Sequence, residues 1–335
     1  MAIDLLSIQP HQISRDLSGY ITYIYGRPKI GKTSLAAQAE DCLLIATERG
    51  YNAIPGIIPQ DVTSWSEMRQ VYRELKKPEV KARFKTLIID TIDLAAKYCT
   101  NYICNQQDIS ELGDLPYGKG YNLMRNEFES VFNSLAQMGY AIIFISHAQD
   151  SVVTLEDKTE YVKIIPSLSP AKVNAIIENM ADVYGYAHTK ENDGTGRAVL
   201  TIRANDDSVA CGCRFKYMDS EIPFDYDSLV DALGRAIDAE EKSTGEEYVI
   251  NETFKPVKKQ EFDFKELKES FKSLVEQIQN NVSGEDFSNT WAPMIVHITD
   301  KYLGKGKKVN DCNPNQAEQL YLIVEELKDE VGKGL

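Results

Sequence analysis

GYITYIYGRPKIGKTSLAAQAED, residues 19–41, decides how the chain is read. Its first part, GYITYIYG (19–26), is a β-branched and aromatic run with the composition of a buried strand. Its last part, SLAAQAED (34–41), is made of helix formers. Between them, Gly26-Arg-Pro-Lys-Ile-Gly31-Lys32-Thr33 fits G-x-x-x-x-G-K-[ST], a phosphate-cradling loop set between a strand and a helix. Gly26 and Gly31 allow backbone conformations and close approaches that a side chain would block. The loop amides and the new helix N-terminus point at a β-phosphate. Lys32 supplies a mobile cation for the β- and γ-phosphates, and the Thr33 hydroxyl can ligate Mg²⁺. The predicted cradle is Gly26, Arg27, Pro28, Lys29, Ile30, Gly31, Lys32, Thr33 and Ser34, with ATP and Mg²⁺ as expected ligands.

Outward from the loop, strand-like and helix-like stretches alternate. CLLIATERG (42–50) is a second apolar run ending on an acid, and SWSEMRQVYRELKKPEVKAR (64–83) opens with a capping-box pattern, Ser64 then Glu67. FKTLIID (84–90) is the next strand, DLAAKYCTNYICNQQ (93–107) a helix and ELGDLPYGKG (111–120) a loop. YNLMRNEFESVFNSLAQMG (121–139) reads as an amphipathic helix and YAIIFISH (140–147) as another buried strand. Such alternation predicts an α/β fold, a mostly parallel central sheet with helices on both faces. After His147 the texture changes to a hairpin over 151–166 turning at Glu156, Asp157 and Lys158, and then a helix near 170–181. ADVYGYAHT and RAVLTIRAN are two strands joined by KENDGTG, and SLVDALGRAIDAEEK (228–242) is helical. The expected organisation is a core over 1–240, a polar linker over 241–262 and a C-terminal helical module over 263–335.

The net charge is −14, which argues against a general polyanion-binding surface, so any nucleic-acid contact must be local. From Asp238 onward there are 20 acidic and 13 basic residues. No run approaches the roughly 20 apolar residues that span a bilayer, and the N-terminus has no signal-peptide pattern, so a soluble, cytoplasmic protein without membrane contact is expected. The six cysteines are expected to be buried, reduced thiols rather than zinc ligands or disulfides.

TLIIDTID (86–93) ends a strand on Asp90, a natural outer partner for a nucleotide-bound Mg²⁺. Thr91 follows, where many ATP-splitting enzymes carry a catalytic Glu. Asp93 either shares the metal site or, as favoured here, caps the helix beginning at Leu94. Glu48, at the tip of CLLIATE, can hold a water in line with the γ-phosphorus if the strand tips share one crevice. A surface acid paired with Arg49 is the other reading of Glu48.

GRPKIGKTS, LLIATERG, TLIIDTID, YGKGYNLMRNEF and YAIIFISH, with CRFKYMDSEIPFDYDSLVDAL near the end of the core, carry a family likeness. Over about residues 17–237 the chain resembles RecA-type P-loop ATPases and, more narrowly, phage-encoded RecA-like nucleotide-binding proteins. That group includes the RecA-like Sak branch of single-strand-annealing recombination proteins. The resemblance implies a RecA-like core, Glu48 as catalytic carboxylate and His147 as a γ-phosphate sensor where RecA-type proteins often carry Gln. The other reading of His147 is a strand-end histidine bonded to backbone. It also implies a ring or filament of copies, in which a neighbour inserts a basic residue. Arg203 is the first candidate, with Arg214 and Lys216 behind it; each is equally read as an exposed strand-end cation.

The segments that match the DNA-facing loops of RecA are 111–120 and 148–172. Tyr117, Lys119 and Tyr121 in the first, and Lys158, Lys163 and Lys172 in the second, are candidate contacts to single-stranded DNA; the other reading is solvated loops. The resemblance departs in two places. The phosphate loop is poorer in small residues than that of RecA, and AQDSVVTLEDKTEYVKIIP is a β-rich hairpin where RecA has a Gly-rich loop. The function implied is a Mg²⁺-dependent ATPase that binds single-stranded DNA in phage-type recombination, annealing or replication. The C-terminal helices, with Ala317, Leu320, Ile323, Val324 and Leu327 on one stripe, are expected to pack on the core or recruit a replication or recombination partner. The alternative is a nucleotide-binding switch that docks a partner through those helices, with little turnover and no DNA contact.

Overall fold

A computed structural model describes residues 13–192, 195–246, 249 and 262–334. The chain divides into two compact units, Met1–Lys258 and Lys259–Leu335. Among the described residues of the first unit the strands are β1 (Ile21–Gly26), β2 (Cys42–Ala46), β3 (Pro59–Asp61), β4 (Thr86–Asp90), β5 (Ala141–Thr154), β6 (Glu160–Pro166), β7 (Val183–Asn192), β8 (Thr195–Thr201), β9 (Gly212–Cys213) and β10 (Glu221–Pro223). They are ordered β10-β8-β7-β1-β5-β4-β2-β3, with β6 paired to β5 and β9 to β7. The central pairs β7–β1, β1–β5, β5–β4, β4–β2 and β2–β3 are parallel. β8, β10, β6 and β9 pair antiparallel.

The apolar strands feed two cores because successive side chains of a strand point to opposite faces. Tyr23, Tyr25, Ile45, Ile89 and Phe144 enter one core, and Ile24, Leu44, Ile88, Ile143 and Ile145 the other. The first is covered by α2 (Trp65–Glu74), α4 (Ile92–Gln107), α5 (Lys119–Gln137) and α6 (Ala171–Met180), and the second by α1 (Lys32–Ala36) and α7 (Tyr226–Thr244), with α3 (Pro78–Arg83) at the rim. Trp65 stacks on Phe128 at 5.9 Å between ring centroids, which fixes α2 against α5. The fold expected from the alternation is the fold observed.

Local differences have local causes. The helix expected over 64–83 is two helices, because Pro78 starts α3 and cannot continue α2. Ser64 does cap α2, accepting from the Glu67 amide, but the Glu67 carboxylate turns to the amide and hydroxyl of Thr63, at 2.6 and 2.9 Å. α1 runs over Lys32–Ala36 rather than 34–41, giving way to three-residue turns at Gln38 and Ala39. α5 starts at Lys119, inside the expected loop. β5 does not stop at His147 but continues into the hairpin with β6, pairing Val152 with Val162. Of the cysteines, Cys99, Cys104 and Cys312 are buried, whereas Cys42, Cys211 and Cys213 are only partly so. The linker expectation over 241–262 falls mostly outside the described residues; α7 reaches Thr244.

The second unit contains α8 (Phe264–Asn281), a short α9 (Gly284–Asp286) that passes through a π-helical turn into α10 (Ala292–Leu303), and α11 (Ala317–Gly334). Leu320, Ile323, Val324 and Leu327 of the expected α11 stripe are fully buried. Leu320, Ile323 and Leu327 cluster with Ile278, Trp291, Ile298 and Leu303. No helix among the described residues is long and apolar enough to cross a membrane.

Candidate phosphate site at the strand tips

The loop between β1 and α1 is shaped by its glycines for two different reasons. A Cβ on Gly26 would lie 2.5 Å from the Ala187 carbonyl oxygen of β7, so the close approach is to the neighbouring strand. Gly31 is the N-cap of α1 at φ +100°, a conformation that favours glycine. Arg27, Pro28 and Lys29 are exposed, Ile30, Gly31 and Thr33 half-buried, and Ser34 exposed. Lys32 is buried, and its Nζ donates to the carbonyls of Gly26 and Arg27 at 2.8 and 3.1 Å. Burial pulls the Lys32 ammonium below its ordinary pKa, against the opposing charges of Asp90, Glu48 and Asp93.

Asp90 closes the other side of the loop. The Thr33 hydroxyl donates to its Oδ2 at 2.6 Å. Burial raises the Asp90 carboxyl and the Glu48 charge adds to it, while the Thr33 hydroxyl and the Lys32 and His147 charges oppose. A carboxylate and a hydroxyl in contact, both hard oxygen donors in a desolvated acidic corner, fit Mg²⁺ held jointly with phosphate oxygens. Protein ligands alone make no cage: no group of three or more His, Cys, Asp or Glu among the described residues is arranged to hold a metal.

Glu48 and His147 come from strands on either side of β4. The Glu48 Oε1 lies 3.7 Å from His147 Nε2, and both side chains are about a third exposed. His147 Nδ1 is buried without a hydrogen-bond partner among the described residues. Three strand tips thus converge, bringing Glu48, Asp90 and His147 to the mouth of the loop.

A residue that the sequence reading missed aligns two of these tips. Thr47 donates its hydroxyl to the Thr91 carbonyl at 2.9 Å and accepts from the Thr91 amide at 2.7 Å. Its own amide donates to the Asp90 carbonyl at 2.9 Å. The arrangement locks the acid that follows Thr47 to the acid before Thr91. A polar residue closing the apolar run CLLIA is the only signal in the sequence. Thr47→Val leaves the Thr91 amide unpaired in a buried place, the carbonyl keeping only the Ala95 amide at 3.3 Å, which should cost about 1–3 kcal/mol in a urea melt, while Thr47→Ser retains most of the stability.

Asp93 is not the helix cap expected of it. The N-cap is Thr91, without a side-chain bond. Asp93 Oδ1 instead accepts from the hydroxyls of Ser146 and Ser167, at 3.0 and 2.6 Å, and the Ser167 amide donates to the His147 carbonyl at 2.8 Å. Helix α4, strand β5 and the foot of the hairpin are joined there. Long-range contacts of this kind leave no local periodic mark.

The outlying candidates divide. Tyr117 is fully exposed, at φ +57° between Pro116 and Gly118, while Tyr121 is 39% exposed. Lys119 and Lys172 are exposed. Lys163 is held at 2.7 Å by Asp207, which also accepts from the Tyr161 hydroxyl. Lys158 sits in the hairpin turn at φ +66°. Arg203 is half-buried and donates to the Phe215 carbonyl, and Arg214 is bound to Asp182 and the Asn179 carbonyl. Lys216 lies over the Tyr217 ring. Within this chain, then, Lys163, Arg203 and Arg214 are engaged close to home, and neither group of candidates meets the strand-tip cluster.

Beside the loop a cleft of about 560 Å³ opens between Arg27, Ile30, Tyr186, His188 and Val209. A cleft of similar size, about 570 Å³, lies at the opposite end of the sheet among Asp16, Glu40, Thr86 and Asp231. Its carboxylates would repel phosphate, so volume does not mark the site; the donors do.

A model of the AAA domain family matches residues 18–212, which hold the loop and all three strand tips. The chain is 28% identical over 339 residues to the SPbeta prophage-derived uncharacterized protein YorG of Bacillus subtilis (strain 168), across 98% of this chain and 99% of that one. Among solved structures it is similar to a KaiC-like protein of Pyrococcus horikoshii OT3, with TM-score 0.37, 17% identity, and 62% of this chain and 86% of that one covered. It is also similar to the flagellar accessory protein FlaH of Methanocaldococcus jannaschii, with TM-score 0.33, 10% identity, and 62% and 85% covered.

Proposed function

The chain belongs to the AAA domain family, and on that premise we propose that it is a Mg²⁺-dependent ATPase that binds single-stranded DNA in phage-type recombination, annealing or replication. The observation that carries the reading is the convergence of Lys32, Asp90 and Glu48 on one phosphate loop, with Thr33 bonded to Asp90 at 2.6 Å. Lys32 and the loop amides would hold the triphosphate. Thr33 and Asp90 would hold Mg²⁺, which supplies charge neutralisation when bound. Glu48 orients a water and takes its proton, and His147 steadies the far oxygen of that carboxylate. Because β5 runs unbroken from His147 into the hairpin, a change at the sensor has a rigid route to the surface. A link across Arg27 and Asp150, 3.8 Å apart and exposed, adds little to it.

Tyr117 supports the DNA part: a wholly exposed aromatic beside the exposed Lys119 offers stacking and a phosphate contact together. With Lys163 paired to Asp207, Tyr117, Lys119 and Lys172 are the better candidates. Copies joined in a ring or filament, with Arg203 reaching a neighbour's phosphate only after leaving the Phe215 carbonyl, belong to the same proposal. So does membership of the Sak-like branch; the prophage-derived relative supports its phage part.

The test is ATP hydrolysis by the full chain with and without single-stranded DNA, at low and moderate salt. Stimulation that declines with salt is expected. Turnover indifferent to DNA would overturn the DNA part and favour a nucleotide switch.

A further inference from the structure

The C-terminal unit carries a groove that the nucleotide site does not use. It encloses about 370 Å³ between α8, α10 and the turn that follows α10. Its floor is apolar, made by Phe271, Ile295, Val296 and Val309, and Val296 is 57% exposed. Val296 carries the apolar lining of Phe271, Ile295 and Val309 out to solvent, so the groove, rather than the single valine, is the exposed apolar surface. Its rim is cationic. The segment GKGKK (304–308) sets Lys305, Lys307 and Lys308 on the exposed turn, and Lys307 and Lys308 line the groove.

Among the described residues none of these three lysines has an ion pair, although the tail from Asp238 onward carries 20 acids to 13 bases. Lys301 and Lys328 do find glutamates, on α11. Two acids stand nearby. Asp300 lines the groove, but one of its oxygens accepts from the Gly306 amide at 2.7 Å, which shapes the lysine turn. Asp311 lies in the short turn after Val309.

We propose that this groove receives an acidic segment of a partner protein that presents an apolar anchor side chain. The anchor enters between Phe271, Ile295 and Val296, and the acids meet Lys307 and Lys308. A partner with that chemistry explains both halves of the surface: charge alone would need no apolar floor, and an apolar helix alone would need no lysine rim. Because the groove lies in the second unit, the inference stands independently of the ATPase reading.

The probe is a fluorescein-labelled peptide, a run of aspartates ending in leucine and phenylalanine, titrated into the full chain by anisotropy. The same run ending in serines, a lysine run with the apolar end, and a labelled single-stranded oligonucleotide are the comparisons. The apolar-ended acidic peptide should bind best, with the serine-ended one at least about tenfold weaker. The double variant Lys307→Glu/Lys308→Glu and the single variant Val296→Asp should each weaken it by about tenfold or more. Lys328→Glu, on α11, should not. All these side chains are exposed, and unchanged helical circular dichroism confirms that the variants fold. Absence of peptide binding, or equal binding by wild type and both groove variants, would overturn the proposal. Preference for the oligonucleotide, lost in the lysine variant, would make the rim a nucleic-acid contact and overturn it too. Self-association of the wild type abolished by Val296→Asp would mean that a second copy covers the groove, which equally overturns it.

Discussion

Lys32→Ala should lose ATP turnover by about a thousandfold or more, and with it measurable retention of nucleotide. The ammonium is buried and donates to two loop carbonyls, those of Gly26 and Arg27, so the cation lies inside the cradle. Those bonds are exchangeable: an anionic phosphate oxygen adds to the ammonium's hydrogen bond an ion–ion attraction that a neutral carbonyl lacks. Nothing else within the loop replaces that cation, since Arg27 and Lys29 are exposed. Removing Lys32 also takes away a charge that helps to hold Asp90 ionised. Phosphate release and binding of a fluorescent ATP analogue measure the two effects. Turnover within about tenfold of wild type would show that the phosphates are not held at this loop.

Glu48→Gln should separate binding from chemistry. The amide keeps the shape of the side chain but cannot take a proton from water, so turnover should fall by about 10²–10⁴-fold. Binding should hold or improve, because a negative charge facing the triphosphate is removed. A second readout follows from the electrostatics. The Glu48 charge is one cause of the raised Asp90 pKa, after burial. Neutralising it lowers that pKa, so the acid limit of Mg²⁺-dependent nucleotide binding should move to lower pH. An unchanged limit would mean that the two carboxylates do not sense each other.

The parts of the molecule that were readable from sequence are those in which the pattern is local. GYITYIYG, TLIID and YAIIFIS are buried strands because near-continuous apolar runs can only be covered on both faces. The loop followed from residue types at fixed offsets. What escaped depends on atoms distant along the chain. Thr47 reads as one more residue of an apolar run, and its role comes from Thr91 across the sheet. Asp93 reads as a helix cap because Asp suits that place, but two serines, both far downstream, claim its oxygen. The edge strand Pro59–Asp61 is three exposed residues and has no apolar signature at all. Lys163 and Arg203 stand out in the sequence by their charge, and the partners that occupy them, Asp207 and the Phe215 carbonyl, lie in segments that only the fold brings near.

In the proposed function Glu48 drives cleavage of a triphosphate gripped by Lys32, Thr33 and Asp90, and the chemistry of the site rests on that step. Incubating wild type and Glu48→Gln with Mg²⁺ and γ-labelled ATP, then separating bound from free nucleotide, tests it in one experiment. Wild type should retain diphosphate and release labelled phosphate, and the variant should retain the intact labelled triphosphate. Equal conversion by both proteins, or failure of wild type to retain any nucleotide, would contradict it.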